Sequence, residues 1–401
     1  MTYDFETIID RHGHDSLAVD GLSETGGFAP ARPREGFDSL PMWVADMGFA
    51  TAPSVTAAMR ERLEHPVFGY YAPSDAYFEA IVSWQKDCNA VQGLEPTHIG
   101  YENGVLGGVV SALGTLCSRG DNVLVHSPTY VGFTMALTNN GYHLVHSPLV
   151  RDEDGVWRMD FEDMERRIRE NHIHAAVFCS PHNPCGRAWE RWEIERAMEL
   201  FERYDVWVVS DEIWSDLMLD GHVHIPTQSV SDWARMHTAA FYAPSKTFNL
   251  AGLVGSYHIV YNSWLRERMD KESSLSHYNS QNVLSMHALL GAYTAEGRAW
   301  CDELREVLSN NARYFYEQVS QFPGVELARP EATYVLLLNC KNWCEEHGVS
   351  NDELVRRGWD VGVTWHDGRL FECPWCVRVN VAIPHTQIVE ACERLARYVF
   401  V

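Results

Sequence analysis

The chain has 401 residues, 46% of them hydrophobic and 22% charged, a balance that fits a globular protein with sizeable cores and excludes a disordered one. Its formal charge is -23, from 32 Lys+Arg against 55 Asp+Glu. That acidity argues against non-specific nucleic-acid binding, which needs a basic surface, and no apolar run approaches the length of a membrane span. The opening residues, Met1 to Glu6, lack the basic-then-apolar order of a signal peptide, so a cytoplasmic location is expected. The ten cysteines are scattered, and free thiols are the expectation for a chain of this size.

Residues 1–45 are rich in Gly and Pro, especially from Gly21 to Gly36, and read as an irregular arm that also contributes to a small domain. Pro53 to Leu63 reads as a helix with Thr51 as its cap, and Tyr77 to Asn89 as a second. Gly104 to Leu116 is small and apolar, as expected of a buried helix that opens at a glycine turn. An alternation follows. Strands are predicted at Asn122 to His126, His143 to His146, Ala175 to Cys179 and Val206 to Val209. Helices are predicted at Val131 to Asn139, Phe161 to Glu170 and Arg191 to Tyr204. This pattern indicates an α/β domain with a mostly parallel sheet, spanning residues 46–284. From about Ser285 the pattern changes. Helices at Asn282 to Glu296, Trp300 to Phe322 and His385 to Tyr398, with strands at Thr333 to Leu338 and Cys376 to Val381, read as a smaller α+β domain over 285–401.

Ligands of open parallel sheets bind beyond the carboxyl ends of the strands. Three residues fall there, each just past an apolar run: Asn183 in Ser180-Pro181-His182-Asn183-Pro184, Asp211 in Val208-Val209-Ser210-Asp211-Glu212, and Lys246 in Ala243-Pro244-Ser245-Lys246. Together they form the set needed to hold pyridoxal 5′-phosphate. The lysine bonds the aldehyde, the aspartate pairs with the pyridinium nitrogen and the asparagine binds the ring oxygen. Two other patterns compete for a function. Cys373-Pro374-Trp375-Cys376 has redox or zinc spacing, but no second such pair completes a metal site, and reduced thiols near a strand are expected. The pairs His12/His14, His172/His174 and His222/His224 lack an evident third ligand, so they read as surface histidines and no metal is expected.

Further segments follow in order: Leu40-Pro41-Met42-Trp43-Val44-Ala45-Asp46-Met47, Phe68-Gly69-Tyr70, Pro181-His182-Asn183-Pro184, Asp211-Glu212-Ile213, Ser245-Lys246-Thr247-Phe248-Asn249, Thr333-Tyr334 and Arg378-Val379-Asn380. In order and spacing this set resembles the fold-type I pyridoxal-phosphate enzymes of the aspartate aminotransferase superfamily, class I/II. More narrowly it resembles the MalY/PatB branch of cysteine–sulfur β-lyases, the cystathionine β-lyases. The resemblance implies a large cofactor-binding domain with a seven-stranded-type sheet and a small α+β domain.

It also implies roles. Lys246 would hold the cofactor and, once freed, remove the Cα proton of the substrate. Asp211 would keep the ring nitrogen protonated, Asn183 would donate to the ring oxygen, and Tyr130 would stack on the ring. Gly104, Val105 and Leu106, at a helix start, would cradle the phosphate with Ser245. Tyr70 would reach the phosphate of a second subunit, which implies a homodimer with shared sites. Arg378 would grip the substrate carboxylate with its planar fork, and the Ala45 N–H would assist.

Three positions depart from the superfamily pattern. Trp214 stands where transaminating relatives usually have tyrosine, and Val254 where they often have arginine; the lyase branch commonly lacks both. Glu372 and the Cys373–Cys376 segment stand where the branch tends to have glycine. The expected reaction is β-elimination of cysteine S-conjugates such as L-cystathionine, giving a thiol, pyruvate and ammonia. An aminotransferase is the alternative, and a lyase with an added regulatory protein-binding role is a second.

Overall fold

The computed structural model describes residues 2–23, 28–276 and 279–401; residues 24–27, within the predicted arm, lie outside the described residues. Eight strands form the large sheet: β1 (Ile99–Asn103), β2 (Asn122–Ser127), β3 (His143–Arg151), β4 (Trp157–Met159), β5 (Ala175–Cys179), β6 (Trp207–Asp211), β7 (Thr238–Tyr242) and β8 (Gly255–Ile259). Their order is β1-β8-β7-β6-β5-β2-β3-β4. The five strands from β7 to β3 run parallel, while β8, β1 and β4 pair antiparallel. The sheet is therefore mixed and eight-stranded rather than seven-stranded. The three-residue β4 turns back on β3 and adds the extra edge.

The parallel core is buried on both faces because its strands carry apolar residues at successive positions, and successive side chains point to opposite sides. Val123, Val125, Ala175, Val177 and Val209 pack on one side against Val109, Leu113, Phe133 and Leu137. Those four belong to helices Val105–Leu116 and Val131–Asn139. Leu124, Ala176, Phe178 and Val208 face the other side, against Ile194, Ala197, Met198 and Phe201 of helix Arg191–Arg203. Helices on both faces require right-handed crossovers, and the direction of sheet growth reverses between β2 and β5. That reversal opens a crevice at the carboxyl edge.

The smaller sheet has four antiparallel strands in the order β11-β12-β10-β9: β9 (Glu326–Leu327), β10 (Val335–Asn339), β11 (His366–Asp367) and β12 (Cys376–Asn380). The amino-terminal segment joins this region, since Leu40 bridges Val363 and its N–H donates to Gly362 O at 2.8 Å. Two local expectations are corrected. The cap of helix Pro53–Leu63 is Ala52 and not Thr51, whose hydroxyl has no hydrogen-bond partner. Alanine has no side-chain acceptor, and proline at the first helical position starts the turn with its φ already fixed. The helix predicted over 282–296 ends at Ala292, and a new one runs Ala295–Val319, capped by the Thr294 hydroxyl accepting Gly297 N–H at 3.0 Å.

Helix Val105–Leu116 sits close on the sheet because Gly108 has no side chain. A Cβ there would run into the Phe241 ring and come within 3.1 Å of Glu102 Cγ. Gly108→Val is expected to lower stability by about 1–3 kcal/mol through overpacking, read as a lower urea midpoint at unchanged slope. A midpoint equal to wild type would show that this contact does not set the position of the helix.

Candidate active site

At the crevice, the strand ends deliver the side chains. Tyr130 follows β2 and Asn183 follows β5, so the two flank the reversal point. Asp211 is the last residue of β6. Past β7, Pro244 at the first helical position opens the four-residue helix that presents Ser245 and Lys246. A cavity of about 200 Å³ is lined by Lys246, Asp211, Asn183, Tyr130, Gly104, Val105, Leu106, Ser245 and Ala45. Every expected cofactor residue is thus brought together except Tyr70. Tyr70 is fully exposed and lines a separate open cleft with Phe68, Tyr71 and Tyr101.

Lys246 Nζ donates to Ala45 O at 2.8 Å and lies 5.5 Å from the centre of the Trp214 ring. Burial and then the nearby Arg378 charge push the amine down to about 8. Asp211 is buried, and its carboxylate accepts Ile213 N–H at 3.1 Å. Burial pushes it up to about 7, against the pull of that bond and of Lys246. Its neighbour Glu212 differs. Burial raises it, but donors from His224, Tyr242, Thr227 and Ser210 together hold it below the ordinary range. Glu212 is therefore a satisfied structural anion, and Asp211 is an anion short of a cation.

Arg378, on β12, enters from the smaller sheet. Its guanidinium donates to Trp43 O at 2.8 Å and to Asn183 Oδ1 at 3.3 Å, and lies 4.4 Å from the centre of the Phe371 ring. His366 Nδ1 is 3.1 Å away. Burial and the Arg378 charge hold that imidazole well below its ordinary range, so it is neutral and accepts. Burial lowers Arg378 to about 10, and its Nε has no protein partner. A carboxylate would supply the missing acceptor. The Ala45 carbonyl accepts from both Lys246 Nζ and Tyr334 OH, the latter at 2.9 Å, and Ala45 lines the cavity.

This donor set fits pyridoxal phosphate. Asp211 needs a cationic N–H, Asn183 has its amide oxygen occupied and its NH₂ left to donate, and Lys246 offers an amine. Gly104, at φ 82°, opens helix Val105–Leu116, whose first N–H groups have no intrahelical acceptor, and Gly104, Val105 and Leu106 line the cavity with Ser245. Cys179, Ile213 and Ser256 also line the cavity and were not singled out from sequence. Cys179 carried the signal of ending a buried run one strand from Asp211, with which it pairs in register. Among the described residues no cluster of His, Cys, Asp or Glu could hold a metal ion, and no helix is long and apolar enough to cross a membrane.

The profile of the family described as aminotransferase class I and II matches residues 44–395. The chain belongs to that family. Within it, the chain is 34% identical over 354 residues to the cystathionine beta-lyase PatB of Bacillus subtilis, covering 88% of each. It is 30% identical over 398 residues to the protein MalY of Escherichia coli, covering 96% of each. Among solved members, the pyridoxal-phosphate-bound C-S lyase of Staphylococcus hominis is 28% identical with a TM-score of 0.87, covering 100% of this chain and 99% of that one. Cystalysin of Treponema denticola, also with the cofactor, is 28% identical with a TM-score of 0.90, at 98% of each.

Two outcomes are expected of the protein stripped of cofactor. An amine with a pKa of about 8 is protonated below that pH and nucleophilic above it. The rate of pyridoxal phosphate incorporation, followed by absorbance, should therefore rise about tenfold per pH unit up to about 8 and then level off; a flat profile between pH 6 and 8 would contradict the assigned environment of Lys246. Asp211, raised above its unfolded value, binds a proton in the folded state that the unfolded state has lost. It therefore costs stability as pH climbs from about 4 through about 7. Asp211→Asn should raise Tm of the stripped protein at pH 7.5 while weakening cofactor binding, and an unchanged Tm would rule out a starved carboxylate.

Proposed function

We propose that the protein is a pyridoxal-phosphate-dependent carbon–sulfur lyase that eliminates the β-substituent of cysteine S-conjugates such as L-cystathionine, releasing a thiol, pyruvate and ammonia. The observation that carries this is one buried constellation. An amine of lowered pKa and a starved carboxylate line one cavity together with Asn183, to which a buried guanidinium with an unpartnered Nε donates, in a chain whose relatives at 34% identity include a cystathionine beta-lyase.

When bound, the cofactor supplies a conjugated ring that takes up the electron pair left by a departing Cα proton. The protein's residues do the rest. Asp211 would hold a proton on the ring nitrogen by its charge, and Val105, Leu106 and Ser245 would bind the phosphate. Arg378 and Asn183 fix the α-carboxylate, which sets the Cα–H bond toward Lys246. The Lys246 amine, neutral near pH 8 and steadied by Ala45 O, takes the proton. With the proton held on Lys246, the electron pair would be free to form the Cα–Cβ double bond as the thiolate leaves Cβ. Trp214 presents an indole face where a hydroxyl would otherwise touch the ring, and Tyr334 packs edge-on against it with centroids 4.6 Å apart. Both favour a closed apolar wall beside Cβ and disfavour amino-group transfer. Tyr70 stands clear of its own cavity, with Val67 and Phe68 exposed beside it, which supports a homodimer in which it completes the partner's phosphate site.

Purified protein with pyridoxal phosphate and L-cystathionine, and no keto acid, should release pyruvate and free thiol in equal amounts. Lys246→Ala should lower kcat by about 10³-fold, and Arg378→Lys should raise KM about tenfold or more, as expected for one lost charged prong. Turnover that appears only when a keto acid is added would replace this reading with an aminotransferase.

A further inference from the structure

The reaction above leaves Cys373-Pro374-Trp375-Cys376 unused. Cys373 is half-buried, Cys376 is buried, and their sulfurs lie 2.6 Å apart. Hydrogen bonds alone hold the turn that joins them. Cys376 N–H donates to Cys373 O at 3.2 Å and Cys373 N–H to Gly368 O at 3.0 Å. Trp375, at φ 67°, donates its N–H to Asn351 Oδ1 at 2.6 Å and accepts from Cys340 N–H at 2.9 Å. Two thiols thus meet on a scaffold held from both sides. Their environments differ as well: the bond from Cys376 holds Cys373 below the ordinary thiol range and pushes Cys376 up. The more exposed sulfur is therefore the nucleophile and the buried one the resolving thiol.

The pair is also mechanically tied to the substrate site. Cys376 and Arg378 lie on the same face of β12, two residues apart. Phe371, at the head of the same turn, lies under the Arg378 guanidinium, and its carbonyl accepts Thr129 N–H at 2.9 Å, next to Tyr130.

We propose that Cys373 and Cys376 form a thiol–disulfide exchange site for low-molecular-weight disulfides, coupled through Phe371 and β12 to the carboxylate grip of Arg378. The Cys373 thiolate attacks one sulfur of a disulfide RSSR; that S–S bond breaks, and RS⁻ leaves and is protonated to RSH. The Cys376 thiol gives up its proton and attacks the Cys373 sulfur of the mixed disulfide, and the second RS⁻ leaves and is protonated to RSH. Two electrons pass from the dithiol to RSSR, leaving one internal disulfide and two small thiols. Disulfide-linked cysteine conjugates belong to the substrate class proposed above, so oxidant and substrate share a chemistry. Closing the bond fixes the turn that carries Phe371, and the oxidised protein then holds Arg378 more firmly for a carboxylate. The coupling rests on the proposed role of Arg378; the exchange does not.

The test uses cofactor-loaded protein incubated with glutathione disulfide, alkylated, digested and weighed. The wild-type peptide carrying both cysteines is expected to lose two hydrogens and escape alkylation, while Cys376→Ser keeps one glutathione on Cys373. Full alkylation of both cysteines in the wild type, or a glutathione retained there, would overturn the exchange site. In the oxidised wild type, KM for L-cystathionine should fall about threefold with kcat unchanged, and Cys373→Ser should not respond. An unchanged KM in protein whose mass shows the closed bond would overturn the coupling. The masses are read whether or not the protein is a lyase, so failure of the exchange and failure of the lyase reading are told apart.

Discussion

The bent segment from Trp43 to Met47 forms no helix or strand, yet side chains from three distant parts of the chain bind its backbone, and the site is built around those bonds. Arg378 donates to Trp43 O, Asn380 Nδ2 to Val44 O at 2.7 Å and Asp46 O at 2.6 Å, and Lys246 and Tyr334 to Ala45 O. Asn249 accepts Met47 N–H at 3.0 Å and donates to Met47 O at 2.9 Å. Buried backbone groups outside helices and sheets must find such partners or lose free energy. Satisfying them here draws the Lys246 turn, the strand that carries Arg378 and the amino-terminal segment onto one spot. The arm joins in through Arg11, whose guanidinium pairs with the Asp46 carboxylate at 2.5 Å.

The charges that this assembly buries are unequal by construction. Glu212 and Asp211 are adjacent, yet the alternation of side chains at a strand end sends one into a ring of donors and the other into the cavity. The first stays ionised without help. The second, like Lys246 and Arg378, is left with a displaced pKa that a bound molecule can relieve. Such clusters mark functional sites because stability alone does not favour them.

Much of this was legible in the sequence for a simple reason. Asn183, Asp211 and Lys246 each end a buried apolar run, and parallel strands read as continuous apolar runs. Among the strands that escaped notice are the antiparallel β1 and β8, which carry Gly100, Glu102, Ser256 and His258. Those residues are compatible with a core only as a set. His258 Nδ1 meets Glu102 Oε1 at 2.7 Å, and Gly100, opposite His258 in register, leaves room for the imidazole. A pair like this has no periodic signature, because its members are polar and 156 residues apart. The break at Thr294 was hidden likewise, since Ala292 and Ala295 are apolar on either side and the capping hydroxyl acts through one backbone N–H. Tyr70 and Arg378 were singled out by resemblance alone, and their local sequence gives no hint of the roles expected of them.

The bonds from Asn380 and Arg378 to the 43–47 segment have a consequence for synthesis. In chain order β12 comes after every other strand, so a growing polypeptide has Gly104, Asp211 and Lys246 long before it has Arg378. Until β12 emerges, the Trp43, Val44 and Asp46 carbonyls lack these donors and the cavity has no floor on that side. Domains tend to form in order as the chain leaves the ribosome. The last strand to be made is therefore the one that ties the amino-terminal segment to the small sheet, and the Lys246 turn gains that neighbour only when β12 docks.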